Sequence, residues 1–402
     1  MIWKEFEFGD IVEKIKGGGT PSKQNQEYWN GDIFWASVKD MEEGKYKLSS
    51  TQDTITQIGL ENSASNLIPK DTLIIATRMG LGRAFINEVD LTINQDLKAI
   101  FPKLDIVATK FLLWWYVNNG KYIENLGNGA TVKGIRLEHL KAIKINLPPL
   151  ETQKRIASIL SNYDDLIENN LKRIKLLEET AQNIYKEWFV NFRFPNYEHT
   201  EFDVESGLPV GWEKKTIDAF AEVITGKTPS TTNSNFYGGN IPFVKTPDMH
   251  DAPYVLSTSI YLSNEGAESQ NNKFLPKNSV MVSCIGTAGV VALASTNCQT
   301  NQQINSVRFD EEFKAFYFYG FARGLKTLLE GLGSNGATMV NVNKSKFEKI
   351  ELIVPDSETL KRHYGLVKVI FDQILTLQEK NEKLKEARDI LLPRLMNRTI
   401  EV

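Results

Sequence analysis

Residues 150–192 read LETQKRIASILSNYDDLIENNLKRIKLLEETAQNIYKEWFVNF, and this stretch decides the fold of the chain. From Ile156 onwards its apolar positions step by four and three residues without a break, which is the heptad pattern of a coiled-coil helix. Residues 356–402 repeat the pattern 207 positions later. Pro149 and Pro355 precede the two stretches, where proline is tolerated at a helix start. The sequence therefore predicts two long helices.

The polar interruptions of the two heptad seams predict how the helices pair. Asn170 interrupts the first seam and Asn381 the second, at a non-equivalent place. In an antiparallel pair whose facing residue numbers sum to 551, these asparagines face each other, and Trp188 faces His363. A buried Asn is best satisfied by another Asn, which fixes the register; the alternative is that both face solvent. The predicted seam comprises Ile167, Asn170, Ile174, Leu177, Ile374, Leu377, Asn381 and Leu384.

The sequence before each helix is also duplicated. Thr-Pro-Ser at 20–22 recurs at 228–230, and Asn-Gly-Ala-Thr at 128–131 recurs at 335–338. Further matches, such as Asn94-Gln95 with Asn301-Gln302, keep the same order at an offset of 208 or 207 residues. A period above 200 residues excludes a solenoid, whose repeats are ~20–50 residues long. The duplication predicts two related domains with pseudo-twofold symmetry.

Each domain is predicted to be α+β. Segments rich in β-branched residues, such as 72–77 and 280–283, are typical of strands, and one helix per copy is predicted at 109–125 and 312–329. The predicted organisation is a first domain at 1–149, a long helix at 150–192, a turn-rich linker at 193–211, a second domain at 212–355 and a second long helix at 356–402.

Composition places the chain among cytoplasmic globular proteins. The 402 residues include 47 Lys and Arg against 50 Asp and Glu, so bulk charge does not indicate a nucleic-acid binder. Cys284 and Cys298 have no metal-type spacing and form no disulfide framework, which favours a reducing cytoplasm. The longest apolar run, Phe111 to Val117, is far shorter than the ~20 residues of a membrane span. No signal peptide and no membrane association are predicted.

Catalytic motifs fail on inspection. Gly226-Lys227-Thr228 resembles the end of a phosphate-binding loop, but that motif needs a glycine where Ala221 stands. The four histidines are scattered, none at metal-ligand spacing, and no glycine-rich turn indicates a nucleotide or S-adenosylmethionine site. The sequence therefore predicts a protein that binds and positions, without a catalytic or metal site.

The ordered motifs resemble the specificity subunit of type I restriction-modification systems. A glycine followed by Thr-Pro-Ser, an Asn-Gln turn, Asn-Gly-Ala-Thr, and Pro-x-x-Glu-Thr-x-Lys-Arg opening a long helix all occur twice. The resemblance implies two target-recognition domains, separated by antiparallel helices, that read a bipartite, asymmetric site in double-stranded DNA. It also implies docking of two modification (methyltransferase) subunits and of restriction/translocase subunits. S-adenosylmethionine, ATP and Mg²⁺ would be bound by those partners, and no cofactor by this chain.

The duplication itself indicates which residues read DNA. Residues identical in both copies cannot distinguish two half-sites, so they are expected to be scaffold or phosphate contacts. Divergent polar positions are expected to specify bases, since Arg and Lys suit guanine whereas Asn suits adenine. The predicted DNA-binding residues are Lys23, Ser37, Arg78, Arg83, Thr131, Lys133, Arg136, Thr231, Lys245, Thr338, Asn341, Asn343 and Lys344.

Two other functions are compatible with the residues alone. One is a single-chain restriction or modification enzyme with an unrecognised catalytic part, and the other is a coiled-coil scaffold without a DNA role. Several apolar residues of the long helices lie off the seam, and we expect modification subunits to cover part of this surface. They are Leu166, Leu171, Leu176, Val369 and Ile390.

Overall fold

The structure, a computed structural model, describes residues 3–127, 133–250, 252–333 and 340–402. It comprises two compact units whose boundary falls inside both long helices. Unit 1 contains Met1–Glu168 and Glu382–Val402, and unit 2 contains Asn169–Asn381. Each unit therefore holds one globular domain together with a part of each long helix.

The domain of unit 1 combines strands and short helices. Its strands are β1 (Lys4–Glu7), β2 (Val12–Gly17), β3 (Trp29–Ala36), β4 (Lys47–Leu48), β5 (Asp53–Ile55), β6 (Leu67–Ile68), β7 (Leu73–Ala76), β8 (Ala84–Asn87), β9 (Leu91–Ile93), β10 (Leu97–Pro102) and β11 (Lys144–Leu147). Its helices are α1 (Gln57–Glu61), α2 (Thr109–Asn118), α3 (Gly120–Leu126) and α4 (Leu137–Lys141).

Two sheets and a helical layer form this domain. A five-stranded sheet has the order β2-β10-β7-β8-β4 and a four-stranded sheet the order β5-β3-β9-β6, while β1 pairs with β11. Strand β7 is buried on both faces, which explains its continuous apolar sequence LIIA. Leu73 and Ile75 join a core with helix α2, whereas Ile74 and Ala76 join a second core on the opposite face. The five-stranded sheet is therefore the central layer.

The domain of unit 2 repeats this construction. Its strands are β12 (Glu213–Thr216), β13 (Glu222–Thr225), β14 (Tyr237–Val244), β15 (Tyr254–Val255), β16 (Tyr261–Leu262), β17 (Val280–Ser283), β18 (Ile285–Gly286), β19 (Val291–Ala294), β20 (Gln299–Thr300), β21 (Ile304–Arg308), β22 (Val340–Asn341) and β23 (Glu351–Val354). Its helices are α6 (Ile217–Phe220), α7 (Asn264–Glu268), α8 (Ala315–Arg323), α9 (Lys326–Gly333) and α10 (Lys344–Glu348).

The strand orders confirm the duplication and the α+β class. The central sheet of unit 2 has the order β13-β21-β17-β19-β15, which matches that of unit 1 strand for strand. The prediction of one helix per copy at 109–125 and 312–329 was wrong, because each region contains two. Asn119 ends α2, and its Nδ2 donates to the carbonyl of Trp115 at 2.8 Å. In the second copy the break falls at Gly324, a poor helix former.

The long helices are α5 (Leu150–Tyr185), continued by a π-helical turn at Lys186–Val190, and α11 (Ser357–Met396). Helix α5 begins directly after Pro149 and α11 begins two residues after Pro355, and they end before 192 and 402, the limits that the sequence predicted. Phe192 and Arg398 take left-handed backbone angles just beyond the helix ends, with φ of 55° and 67°. Such angles interrupt a right-handed helix and explain the shorter spans.

The antiparallel register is present in unit 2. The Nδ2 of Asn170 donates to the Oδ1 of Asn381 at 2.8 Å, and both side chains are buried. The rings of Trp188 and His363 lie 5.8 Å apart, as the register of 551 predicts. Within unit 1, Ile156 and Leu160 of α5 share a core with Leu392 and Leu395 of α11, so the helices pair antiparallel there too. All five off-seam apolar residues are exposed by 41% to 62% of their surface.

Candidate nucleic-acid interface

The duplicated Thr-Pro-Ser and Asn-Gln motifs meet in each domain. The Oγ1 of Thr20 donates to the Oε1 of Gln95 at 2.5 Å, and the Oγ1 of Thr228 donates to that of Gln302 at 2.7 Å. The same hydrogen bond thus joins the end of β2 to the loop before β10, and the end of β13 to the loop before β21. These shared residues form a common scaffold at one end of the central sheet.

A shared glycine completes this scaffold. A Cβ on Gly18 would lie 1.8 Å from the carbonyl oxygen of Ile93, and one on Gly226 would lie 2.1 Å from that of Asn301. Asn94 and Asn301 are buried, and each Oδ1 accepts the backbone N–H two residues later at 3.1 Å. The structure confirms that these shared residues have a structural role, because their polar groups bind the protein itself.

Next to the scaffold, two loops pair in the same way in both copies. In the first domain the backbones of Arg78 and Gly134 form an antiparallel β-bridge, and the N–H of Ile135 donates to the carbonyl of Thr77 at 3.0 Å. In the second domain β18 pairs with β22, and the N–H of Val342 donates to the carbonyl of Cys284 at 2.9 Å. In each domain the pairing brings together two loops whose sequences differ between the copies. We call these two loops, together with the adjoining Asn-Gln loop, the reading edge of that domain.

The two reading edges display different side chains. The first carries Arg78, Lys133 and Arg136, all exposed, whereas the second carries Ile285 and Asn341 at positions equivalent to Arg78 and Gly134. Cationic forks and a carboxamide present different hydrogen-bond patterns to the base edges in a DNA groove. The two edges therefore offer different chemistry on the same backbone frame.

Comparison with known proteins agrees with this duplicated architecture. Residues 2–179 and 209–386 match the family described as type I restriction modification DNA specificity domain. The chain belongs to this family of specificity subunits. The type I restriction enzyme HindI specificity subunit of Haemophilus influenzae is 30% identical, over 98% of this chain and 99% of that protein. The MjaIX specificity subunit of Methanocaldococcus jannaschii is 28% identical, over 98% and 95%.

A solved structure shares the fold. The S subunit of a type I restriction-modification system from M. genitalium superimposes with a TM-score of 0.61 at 14% identity, covering 98% of this chain and 96% of that chain. Each family match in the present chain includes one domain and part of the following long helix. The duplicated unit is therefore a domain with its helix, and the protein is a DNA-recognition subunit.

Several predicted DNA-binding residues of the specificity subunit lie at the reading edges but already have intramolecular partners. Lys133 lies 4.0 Å from Glu124, and Lys344 lies 3.1 Å from Glu348. Asn343 caps α10, because its Oδ1 accepts the N–H of Lys346 at 2.9 Å. Its Nδ2 is then the group suited to a base contact, whereas the capping oxygen is committed to the helix.

Other predicted residues take no part in the pairing of the two loops. Ser37 and Lys245 precede 3₁₀ turns, where their N–H groups donate to Asp40 and Asp248 at 2.8 Å. Ser37 is buried and also bonds Asp40 through its hydroxyl, so its contacts are structural. Arg83 donates to the carbonyl of Met41 at 3.1 Å, and Lys23 and Thr231 are exposed in the loops after Thr-Pro-Ser. Thr131 and Thr338 lie outside the described residues.

Sequence reasoning missed Asp96 and Lys98 at the first reading edge. Asp96 is buried and its Oδ1 lies 3.5 Å from the Nη1 of Arg78. Lys98 donates to the carbonyl of Gln95 at 2.8 Å, and burial lowers its pKa, an effect that Asp96 opposes. The equivalent residues of the second copy are Gln303 and Asn305. Divergence between copies, the criterion already applied, would have identified both positions.

The described residues of these edges offer neither a metal site nor an exposed thiol. Within the part of the chain that the structure describes, no cluster of three His, Cys, Asp or Glu residues is placed to hold a metal ion. Both cysteines are buried, and burial raises the pKa of Cys284 to about 11 and that of Cys298 to about 12. Among the same described residues, no helix is long and apolar enough to cross a membrane.

Proposed function

We propose that this specificity subunit reads a bipartite, asymmetric site in double-stranded DNA, one half-site per domain, and itself carries no catalytic site. The observation that supports this most is the identical scaffold with different displayed side chains. Two domains with the same Thr–Gln hydrogen bond and the same loop pairing would approach DNA alike. They would read different bases, because position 78 is Arg in one copy and position 285 is Ile in the other.

The long helices are proposed to set the spacing between the half-sites. Helix α5 contains 36 residues. At a rise of ~1.5 Å per residue it is ~54 Å long, comparable to ~16 base pairs at ~3.4 Å per step. Adding a heptad to each helix is expected to lengthen the DNA spacer between the methylated half-sites. An unchanged spacer in such a variant would contradict the spacing role.

The exposed apolar residues of the helices support docking of partner subunits. Leu176 and Val369 expose 62% and 57% of their surface, and both project from helices that bury a different face in the seam. We assign this surface to two modification subunits, with restriction/translocase subunits joining that core. S-adenosylmethionine, ATP and Mg²⁺ are assigned to these partners, and the proposed site of action is the cytoplasm.

Local charge supports dependence on these partners. Residues 1–148 contain 18 basic and 18 acidic side chains, and residues 196–355 contain 13 and 17. Because phosphate contacts supply much of the affinity for DNA, a neutral and an acidic domain should bind weakly alone. We expect tight, sequence-specific binding only in the complex with the modification subunits.

The test is co-expression with a cognate modification subunit in a host that lacks DNA methylation. Sequencing of modified bases should reveal one bipartite motif that is absent when the specificity subunit is omitted. The purified chain alone, incubated with DNA and labelled S-adenosylmethionine, serves as the control and should transfer no methyl group. Methylation by the chain alone would instead support the single-chain enzyme. Absence of any motif from the intact complex would overturn DNA reading.

A further inference from the structure

We propose that Arg78, positioned by the buried Asp96, reads a guanine in the half-site of the first domain, and that the second domain has no equivalent guanine reader. The proposal rests on the proposed function, because it names the base that one reading edge recognises. It selects one arginine from the displayed residues and adds a positioning residue that touches no DNA.

Asp96 is held rigidly in the scaffold. Its carbonyl accepts the N–H of Thr77 at 2.8 Å and the Thr77 hydroxyl at 3.0 Å, and its N–H donates to Asn94. The side chain is only 7% exposed, and among the described residues its Oδ1 accepts no hydrogen bond. A carboxylate buried in this way is costly unless an opposite charge compensates it. Arg78, with its Nη1 3.5 Å from that oxygen, supplies the charge.

The path of the Arg78 side chain is shaped by Gly134. A Cβ at Gly134 would lie 3.1 Å from the Cγ of Arg78, so a larger residue would crowd the arginine stem. The stem crosses this glycine towards Asp96, while 56% of the Arg78 side chain stays exposed to solvent. One part of the guanidinium therefore faces the buried carboxylate and another part faces outwards.

This arrangement suits a guanine better than a phosphate. A guanidinium carries five N–H donors in a planar fork, and two parallel donors match the O6 and N7 of guanine in the major groove. A phosphate can also accept the fork, but phosphates are alike at every base pair, whereas the residue at this position differs between the two copies. A carboxylate that fixes the fork before binding reduces the side-chain entropy lost on recognition.

The second domain cannot form the same arrangement of an arginine held by a buried carboxylate. Ile285, Gln303 and Asn341 occupy the positions of Arg78, Asp96 and Gly134. The arginine, the carboxylate and the glycine are thus replaced together by an apolar residue and two carboxamides. Ile285 pairs with Asn341 across β18 and β22, so the backbone frame is unchanged although the chemistry differs. The difference predicts asymmetry between the two half-sites at one defined base pair.

The experiment compares Arg78→Ala, Arg78→Lys and Asp96→Asn in the complex with the modification subunits. Sequencing of methylated DNA should show a guanine of one half-site relaxing to any base in Arg78→Ala, and relaxing to a smaller extent in Arg78→Lys, whose ammonium lacks the planar fork. Fluorescence anisotropy should show discrimination at that base pair falling about 10- to 100-fold. Asp96→Asn should relax the same base pair to a smaller extent. Ile285→Ala is the matched control in the second domain and should relax no guanine.

Three results would overturn the proposal. If Arg78→Ala weakens binding to all sequences alike and leaves the discrimination at every base pair unchanged, Arg78 binds a phosphate. If Arg78→Ala keeps the original motif, Arg78 reads nothing. If the relaxed base pair is not G·C, the assignment to guanine is wrong. Each result presupposes that the wild-type complex methylates a specific motif, so it differs from failure of the proposed function, in which no motif is found. Thermal unfolding of each variant confirms that it is folded.

Discussion

In each unit the globular domain packs against the long helices at equivalent helix positions. These positions are charged in unit 1 and apolar in unit 2. In unit 1 the Nη1 of Arg388 donates to Asp164 at 2.6 Å, and its guanidinium lies 4.8 Å from the ring of Tyr46. In unit 2 the strand register places Pro253 at the position of Tyr46, and the ring of the next residue, Tyr254, lies 6.4 Å from Phe371, the counterpart of Asp164. Ala181 is the counterpart of Arg388. A buried ion pair in one unit thus corresponds to an aromatic contact in the other.

The difference explains why each domain packs against its own part of the long helices and not against the equivalent part that belongs to the other domain. Arg388 is 2% exposed, and its charge is compensated by Asp164, by the largely exposed carboxylate of Asp389 and by the carbonyl of Gly44. Against Tyr254 and Phe371 the same arginine would be buried without an acid at position 371. Since an uncompensated buried charge is strongly destabilising, each helix end fits its own domain. The ion pair therefore contributes specificity of packing.

The largest effect is expected from breaking the ion pair on one side. Asp164→Ala should lower the free energy of unfolding by about 3 kcal/mol or more, because Arg388 stays buried without its main partner. Urea denaturation of the full chain measures this. The double variant Asp164→Phe with Arg388→Ala copies the aromatic solution of unit 2 and should recover most of the loss. If the double variant is no more stable than the single one, the two solutions are not interchangeable.

The next effect is the pH dependence of stability that arises from His363, whose counterpart in the other unit is apolar. His363 is 1% exposed, neither ring nitrogen has a hydrogen-bond partner among the described residues, and burial lowers its pKa to about 4. The unfolded chain binds this proton near pH 6.5 and the folded chain only near pH 4, so stability falls as pH decreases through that window. The counterpart in unit 1 is Ile156, which makes His363→Ile the matched variant.

Between pH 7 and pH 5 the wild type should lose about 2 kcal/mol of stability relative to His363→Ile. Denaturation curves at both pH values measure the difference. Burial also raises the pKa of Asp164 to about 6, which favours the folded state as pH falls. This opposing contribution is present in both proteins and cancels in the comparison. Parallel pH dependences would show that His363 does not titrate as its burial implies.

A smaller effect is expected from the asparagine pair, whose equivalents are Leu377 and Ile174. Asn170→Leu removes the N–H that donates to the Oδ1 of Asn381 and should cost about 1–2 kcal/mol. Adding Asn381→Ile copies the apolar pair Ile174–Leu377 and should restore stability, because replacing both partners by apolar groups is nearly neutral. The denaturation midpoints compare the variants. A double variant weaker than the single one would contradict this account.

The smallest effect tests whether the Thr–Gln hydrogen bond contributes equally to the stability of the two domains. Thr20→Val and Thr228→Val each remove one exposed hydrogen bond to a glutamine and should each cost about 0.5–1 kcal/mol. Differential scanning calorimetry compares the two variants with the wild type. A clear inequality between them would show that the two copies no longer use this bond alike.

Much of the fold could be predicted because it repeats in the sequence. The offset of 207 relates Asn94-Gln95 to Asn301-Gln302, and both turns form the same structure. The register of the helices followed from two asparagines that need each other when buried. The helix break at Asn119 could not be predicted in this way, since it depends on a side-chain bond to Trp115 and on contact between Gly120 and Gly82.

At the reading edges the sequence singled out loops that the structure pairs with each other, but not the partners of each residue. Arg78 was selected from its divergence, whereas Asp96, which diverges as well, was overlooked because the sequence does not show that it lies next to Arg78. Ser37 was selected by the same criterion, yet its hydroxyl and N–H bind Asp40. Divergence between copies marks positions that are free to change. It does not distinguish a base contact from a cap.

The sequence by itself determined the duplicated architecture, the heptad seams and their antiparallel pairing, because these depend on periodic apolar positions and on one pair of polar side chains. Only the tertiary structure decided which residues meet across strands far apart in the chain. Arg78 and Asp96 come together at the ends of β7 and β10, and Arg388 meets Asp164 and Tyr46 across more than 200 residues. Such contacts depend on three-dimensional packing, which local patterns do not encode.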